Sequence, residues 1–180
     1  MRIVNFNSLT EIQIKQAAQI LTDELPLGWA AFDDAMAEIS ERWKDEPDAL
    51  FFAALEDGDV LGWCGIIPEY GGNVYELHPL AVRKDKQRMG IGTALVSEAE
   101  KAAREKGGLT IRVGADDERP GGETSFANAD LYDDLPERIK NFKPGTHQSA
   151  FYMKLGYKIV GVVPDANGRG KPDIFLAKQL

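Results

Sequence analysis

One stretch, Glu76 to Thr93, carries the residue types from which chemistry can be argued. Its first half, VYELHPLAV at 74–82, is apolar and β-branched enough to predict a strand, whose alternation places Glu76, His78 and Leu80 on one face. A carboxylate in an apolar strand is costly unless it is paired or used. Glu76 is therefore a candidate general base.

The neighbouring His78 has two interpretations that the sequence leaves open. Its imidazole could contact a substrate on the same face as Glu76, or it could be a hydrogen-bonded histidine of the core. The next residue, Pro79, cannot donate to a ladder, so we expect strand pairing to loosen there.

The second half of the stretch is a basic turn in which Gly90 and Gly92 open a helical pattern. Glycines let a bulky anion approach the backbone, and the first N–H groups of a helix lack partners, so the turn suits a pyrophosphate. A P-loop would need a lysine before Thr93, and a dinucleotide fingerprint would need a small residue at Leu95. The pattern that remains is Gln87-x-x-Gly90-x-Gly92.

Composition limits the class of protein. With 180 residues and 43% hydrophobic content, we expect one globular domain over 1–180, and no apolar run is long enough to span a membrane. The first residues do not read as a signal peptide, and the single Cys64 suits a reducing compartment, so we expect a cytoplasmic protein. The formal charge of −8 argues against nucleic acid and favours a cationic partner.

Strand and helix patterns alternate along the chain. Strands are predicted at 2–6, 50–55, 60–67, 74–82, 109–113, 157–163 and 174–178. Helices are predicted at 8–25, 31–43, 92–106 and 148–155, with a short piece within 130–142. Ser8-x-x-Glu11 predicts a capping box, and Pro26 ends the first helix. Because Asp57-Gly58 predicts a hairpin, the class is α/β (α+β) with one layered, mixed sheet.

Three further positions deserve an interpretation. Trp29 and Phe32 lie in the turn between the first two helices, where they could pack in the core or form a wall of a substrate site. Cys64 has no cationic neighbour in sequence that would activate its thiol, so we interpret it as structural. No spacing of histidines or cysteines suggests a metal site.

The segment from Gly114 to Gly145 is irregular, acidic and long for a connection in a compact domain. Most of its acids fit a solvated loop. Asp116 and Asp117 follow a predicted strand end, and we interpret them as candidates for binding a cationic substrate.

Two motifs carry a resemblance to a known family. The Gln87-x-x-Gly90-x-Gly92 turn resembles the acetyl-CoA binding motif of the GCN5-related N-acetyltransferases (GNAT), and FYMKLGYKIVG at 151–161 resembles the other signature of that superfamily. Together with ELHPL at 76–80 and the PDANGRGKPDI ending at 164–174, they are similar to the enterococcal branch of aminoglycoside 6′-N-acetyltransferases. The similarity runs from about residue 50 to the end, and the first helices match loosely.

The resemblance implies a GNAT fold, a mostly antiparallel sheet with a splayed central strand pair, and direct transfer of an acetyl group from acetyl-CoA to a cationic amine. Glu76 and His78 would line the active site, the Leu80 N–H would polarise the thioester carbonyl, and Tyr152 would protonate the leaving thiolate or simply pack. The resemblance also implies a homodimer. The implied cofactor contacts are Leu80, Ala81, Val82, Gln87, Arg88, Met89, Gly90, Ile91, Gly92, Thr93 and Tyr152. The implied substrate contacts are Trp29, Glu76, His78, Asp116 and Asp117.

Two other functions stay open at this point. The same chemistry could serve a different amine, such as a polyamine or a protein N-terminus. The chain could also bind coenzyme A without catalysis, although a pure binder would gain nothing from a strand carboxylate such as Glu76.

Overall fold

The computed structural model describes residues 1–45 and 48–180, without the side chains of 41–45. Its strands are β1 Arg2–Asn5, β2 Leu50–Glu56, β3 Asp59–Glu69, β4 Val74–Val82, β5 Thr110–Asp116, β6 Lys158–Val163 and β7 Asp173–Gln179. Its α-helices are α1 Glu11–Glu24, α2 Phe32–Asp45, α3 Ile91–Glu105, α4 Leu135–Lys140 and α5 Ser149–Lys154.

The strands form one seven-stranded sheet in the order β1-β2-β3-β4-β5-β7-β6. The pairs β1/β2, β2/β3, β3/β4 and β6/β7 are antiparallel. The predicted α/β (α+β) class with a mostly antiparallel sheet flanked by helices is therefore confirmed, and the splay of the central pair stays a prediction. Across the described residues, none of the helices is long and apolar enough to cross a membrane.

The chain divides into two compact units, residues 1–111 with Leu180 and residues 112–179. The boundary falls inside β5, after Ile111. The single acetyltransferase domain over 1–180 stays a prediction.

In the first unit, helices cover both faces of the sheet. The indole N–H of Trp63 donates to the carbonyl of Ala17 in α1, at 3.0 Å, and the Cys64 thiol donates to the carbonyl of Leu95 in α3, at 3.7 Å. Consecutive residues of a strand point to opposite faces, so α1 and α3 lie on opposite sides of β3. The core on the α1 side is built from large apolar side chains, among them Phe6, Ile20, Leu21, Ile39, Phe51, Val60 and Trp63.

The predicted start of α1 was wrong by two residues. Thr10, not Ser8, is the N-cap, and it forms a reciprocal capping box with Gln13. Ser8 lies in a 3₁₀ turn, where its hydroxyl donates to the Asn5 carbonyl at 2.7 Å. The helix ends at Glu24, one residue before the predicted end, because Leu25 precedes Pro26 and the residue before a proline avoids the helical conformation.

Strand β4 has an irregularity at the predicted place. Cys64 is paired with Leu80 and Ile66 with Leu77, so that Gly65 alone lies opposite His78 and Pro79, which a cis peptide bond joins. This is a β-bulge, in which two residues of one strand face one of its neighbour. A Cβ on Gly65 would stand 2.5 Å from the His78 carbonyl oxygen, so the bulge requires glycine there.

Two predicted elements in the second unit have different lengths in the structure. Strand β5 continues through Gly114 to Asp116, where the sequence predicted an end at Val113. The helical piece predicted within 130–142 is the single short helix α4, Leu135–Lys140, which Asp134 caps through its side chain.

Candidate functional site

Glu76 and His78 lie on one face of β4, and Leu80 lies on the other, so the predicted single face for all three is wrong. Leu80 is paired with Cys64, which faces α3, whereas Glu76 is paired with Ile67, on the face that Trp63 shares. The β-bulge at His78 and Pro79 shifts the alternation by one residue.

Glu76, His78 and Leu80 are half-buried, whereas Leu77 and Pro79 between them are buried. The α1 side of β4 therefore presents the Glu76 carboxylate and the His78 imidazole, both with partial access to solvent, whereas the Leu80 side chain lies on the α3 side.

Trp29 contacts the α1 side of β4. Its ring centroid lies 5.7 Å from that of His78, with 50° between the ring planes. Trp29 also packs against the core of the first unit, so its two predicted roles, core packing and site wall, are compatible. The turn after α1 places the ring, since the N–H groups of Gly28 and Trp29 both donate to the Leu25 carbonyl, at 3.1 and 3.0 Å.

Glu38 of α2 is a site residue that the sequence reasoning missed. Its Oε1 lies 3.7 Å from Nε2 of His78, which is an ion-pair distance and too long for a hydrogen bond. The sequence holds a signal for it, because Glu38 stands next to buried Ile39 and three residues after buried Ala35. An acid there is turned toward the apolar side of an amphipathic helix.

The surroundings of His78 favour a site residue over a core histidine. Its side chain keeps 35% of its surface exposed, and the Glu38 side chain keeps 20%. Two half-buried carboxylates, Glu38 and Glu76, thus belong to a face that also holds an imidazole and an indole. Such a face suits a cationic group that has lost part of its water, because charge interactions strengthen as solvent is excluded.

The turn from Arg83 to Gly90, here termed the phosphate loop, leads from β4 into α3. Gly90 is the N-cap of α3 with φ of 86°, and no other atom stands within 4 Å of where a Cβ would be. Arg88 also has a positive φ, 60°. In the described chain, no N–H group from 88 to 93 donates to an internal acceptor. A run of six unused donors at a helix N-terminus fits the pyrophosphate of coenzyme A.

Gln87 differs from the other residues predicted to bind the cofactor. Its side-chain Nε2 donates to Oε2 of Glu24 at 2.8 Å and to the Val82 carbonyl at 3.0 Å, and its N–H donates to the Lys84 carbonyl at 3.3 Å. Gln87 is thus a residue that shapes the phosphate loop.

Arg83 is not an open charge for a phosphate group. It forms a two-pronged pair with Asp85, Nε to Oδ1 at 2.6 Å and a terminal nitrogen to Oδ2 at 2.8 Å. This hydrogen bonding raises the pKa of Arg83 and lowers the pKa of Asp85. The other basic residues of the loop, Lys84, Lys86 and Arg88, are not part of this pair.

In the second unit, the two predicted acids have different environments. The Asp117 side chain is fully buried, and its two oxygens accept the N–H groups of Glu123 and Thr124, both at 2.8 Å. Asp117 therefore fixes the loop that follows β5. Asp116 is exposed and accepts a short hydrogen bond from the side-chain amide of Asn167.

His147 is buried, with an exposure of 2%, and sequence reasoning gave it no role. Its Nε2 lies 3.0 Å from the Asp116 carbonyl and its Nδ1 accepts the N–H of Ser149 at 3.3 Å. A carbonyl can only accept, so the contact with Asp116 places a proton on Nε2. His147 holds the end of β5 to the start of α5.

Tyr152 of α5 is buried among aromatic rings. Its centroid lies 5.1 Å from that of Phe151 and 5.7 Å from that of Tyr157. Packing is therefore one of its roles, and protonation of a thiolate stays a prediction.

Cys64 is a structural residue, as predicted. It is fully buried on the α3 side of β3, and burial raises the pKa of its thiol. Among the residues that the structure describes, there is no group of three or more histidine, cysteine and acidic side chains that could hold a metal ion.

Comparison with known proteins gives consistent matches. Residues 14–120 match the model of the Acetyltransferase (GNAT) family. The chain is 36% identical to an aminoglycoside 6′-N-acetyltransferase crystallised with coenzyme A, with a TM-score of 0.89 and coverage of 99% of this chain and 97% of the other. It is 36% identical to the aminoglycoside 6′-N-acetyltransferase from Enterococcus faecium, with a TM-score of 0.87 and the same coverage.

A third solved structure, an aminoglycoside 6′-acetyltransferase type Ii, is 33% identical, with a TM-score of 0.76 and coverage of 99% and 97%. No curated protein matched the sequence.

Proposed function

Because the chain belongs to the GNAT family of acetyltransferases, we propose that it transfers the acetyl group of acetyl-CoA to the 6′-amine of an aminoglycoside. The acyltransferase class and the use of acetyl-CoA follow from the family. The proposed acceptor is supported by the acidic and aromatic face on β4, where Glu38 and Glu76 flank His78 under the ring of Trp29. The solved structures of similar sequence are those of enzymes that act at this position of aminoglycosides.

The first chemical task falls to Glu76. An aminoglycoside amine is mostly protonated near pH 7, and an ammonium group has no lone pair for attack. Glu76 would remove that proton directly or through one water molecule. His78 and Glu38 would hold the acceptor ring beside it.

The acetyl donor would be held by backbone. The N–H groups of residues 88–93 would bind the pyrophosphate, and β4 from Leu80 to Val82 would run beside the rest of the molecule. The Leu80 N–H would donate to the thioester carbonyl, which makes the carbon a better electrophile. Tyr152 would give a proton to the departing sulfur. Transfer would be direct, in a ternary complex and without a covalent enzyme intermediate.

Of the two acids predicted in the second unit, we retain Asp116 as an acceptor contact. Its carboxylate is exposed, whereas both oxygens of Asp117 are committed to backbone N–H groups. We therefore assign Asp117 to the loop.

We also propose that the protein is a cytoplasmic homodimer. Strand β6 is at the edge of the sheet and leaves Val160 and Val163 63% and 43% exposed. An apolar sheet edge invites pairing with a second copy. Light scattering at micromolar concentration should give the mass of a dimer, and a monomer mass would reject the proposal.

The decisive experiment is a single-turnover assay of thiol release, because slow product release can hide a chemical defect in steady state. The acceptors are a 6′-amino aminoglycoside, its 6′-hydroxy counterpart, a polyamine and a peptide with a free N-terminus. We expect rapid transfer to the 6′-amino compound alone. Glu76→Gln should lower that rate by roughly 10² or more.

Glu11→Gln, an exposed acid in the first turn of α1, is the matched control and should react like the wild type. An unchanged rate in Glu76→Gln would remove Glu76 from catalysis. Equal transfer to the 6′-hydroxy compound would contradict the proposed attack by the 6′-amine. Faster transfer to the polyamine or the peptide would show that an aminoglycoside is not the preferred acceptor.

A further inference from the structure

The last residue of α1, Glu24, lies against the phosphate loop. Its Oε1 accepts the N–H of Lys84 at 2.7 Å, and its Oε2 accepts the side-chain amide of Gln87 at 2.8 Å. The same Gln87 nitrogen donates to the Val82 carbonyl at 3.0 Å. The Glu24 carboxylate and the Gln87 amide together thus connect the end of α1, the end of β4 and the loop between β4 and α3.

This position is unexpected for a negative charge. A carboxylate beside an anion site repels the anion, so on charge alone Glu24 would weaken binding of a pyrophosphate. The basic residues Lys84, Lys86 and Arg88 in the same loop have the opposite effect. Glu24 carries a charge that repels the ligand, yet both of its oxygens accept hydrogen bonds from the loop. This combination indicates that Glu24 acts by fixing the geometry of the loop.

The backbone of the loop requires such support. Arg88 has φ of 60°, a conformation that residues other than glycine rarely adopt and that persists only where the surroundings fix it. Among the described residues, none accepts a hydrogen bond from the N–H groups of 88–93. Glu24 and Gln87 form side-chain hydrogen bonds that tie the start of this segment to α1 and to the end of β4.

We infer that Glu24 is a positioning residue for acetyl-CoA, which acts by holding the phosphate loop through Lys84 and Gln87 in the conformation that exposes the N–H groups of residues 88–93. A loop ordered before binding loses less conformational entropy when the ligand arrives. The inference rests on the proposed function, since it takes this loop as the site of the pyrophosphate.

The test is the affinity of Glu24→Ala for acetyl-CoA, measured by titration calorimetry and compared with Asp23→Ala. Asp23 is the preceding, exposed residue of α1, and its loss changes the net charge equally. Charge alone predicts tighter binding in both variants. The positioning role predicts at least roughly tenfold weaker binding in Glu24→Ala, because a hydrogen-bonded carboxylate is lost, and no weakening in Asp23→Ala.

Steady-state kinetics supply a second readout. In Glu24→Ala, the KM for acetyl-CoA should rise about tenfold, while kcat at saturation falls by less than about threefold, because Glu24 does not face the reacting atoms. Glu24→Gln retains one acceptor oxygen and should lie between the wild type and alanine. Unchanged or tighter binding in Glu24→Ala would overturn the inference.

Two further variants keep the outcome interpretable. If Glu24→Ala does not fold, Gln87→Met removes the amide and leaves the carboxylate in place. It should still weaken acetyl-CoA binding severalfold, and wild-type affinity would again overturn the inference. Gly92→Asp places a carboxylate in the first turn of α3 and tests the loop itself. If Gly92→Asp binds normally, the site assignment fails, and if only Gly92→Asp weakens binding, Glu24 alone is refuted.

Discussion

Replacing Gly65 with alanine tests whether the β-bulge of β4 depends on a missing side chain in β3. An added Cβ would stand 2.5 Å from the His78 carbonyl oxygen and 2.6 Å from Cε1 of Phe51, where ordinary contacts begin at 3.4 Å. Both the backbone of β4 and the Phe51 ring must therefore move away from the new Cβ by about 1 Å. Phe51 is 7% exposed and packs against Phe6 and Trp63, so the ring has little space to yield.

Overpacking of a core costs about 1–3 kcal/mol, and we expect the upper end here because both neighbours are held in place. For a chain of this size, about 3 kcal/mol lowers the melting temperature by roughly 6–12 °C. A displaced bulge also moves His78 and Leu80. Because catalysis is sensitive to small errors in position, kcat/KM should fall by roughly tenfold or more.

The assay is thermal unfolding followed by circular dichroism, with acetyl transfer measured well below the transition. Gly28→Ala is the matched control, because its Cβ would meet only the Leu25 carbonyl, at 3.8 Å. It should unfold near the wild-type temperature. The reasoning would be refuted if Gly65→Ala unfolded within about 2 °C of Gly28→Ala.

Three other predictions use separate features. Asp85→Asn should release the Arg83 guanidinium toward the bound phosphates and tighten acetyl-CoA binding a few-fold at low salt, an effect that calorimetry should see shrink in high salt. Thr10→Ala should cost about 1 kcal/mol, seen as a drop of roughly 2–4 °C in melting temperature, while Ser8→Ala, at the wrongly predicted cap, should cost less. Because burial raises the pKa of Cys64, alkylation at pH 8 should proceed only as the protein unfolds, and rapid labelling of the folded protein would contradict this.

The sequence by itself determined the elements and the identity of the catalytic candidates. Period-2 alternation in β4 was sufficient to put Glu76 and His78 on one face, but it misplaced Leu80, because the β-bulge at His78 and Pro79 shifts the alternation by one residue. Pro79 marked the irregular pairing, and Gly90 marked the start of α3. These features are local, and local stereochemistry decides them.

Only the tertiary structure showed which residues from distant segments join them. Glu38 reaches His78 across 40 residues of sequence, and Glu24 reaches Gln87 across 63. Neither acid belongs to a sequence motif. Its partner depends on where its helix packs in the fold, and no fixed spacing along the sequence records that. The same holds for Asp117. The sequence suggested a substrate contact, but in the structure both of its carboxylate oxygens accept N–H groups of the following loop. Sequence patterns record neighbours along the chain, and packing decides neighbours in space.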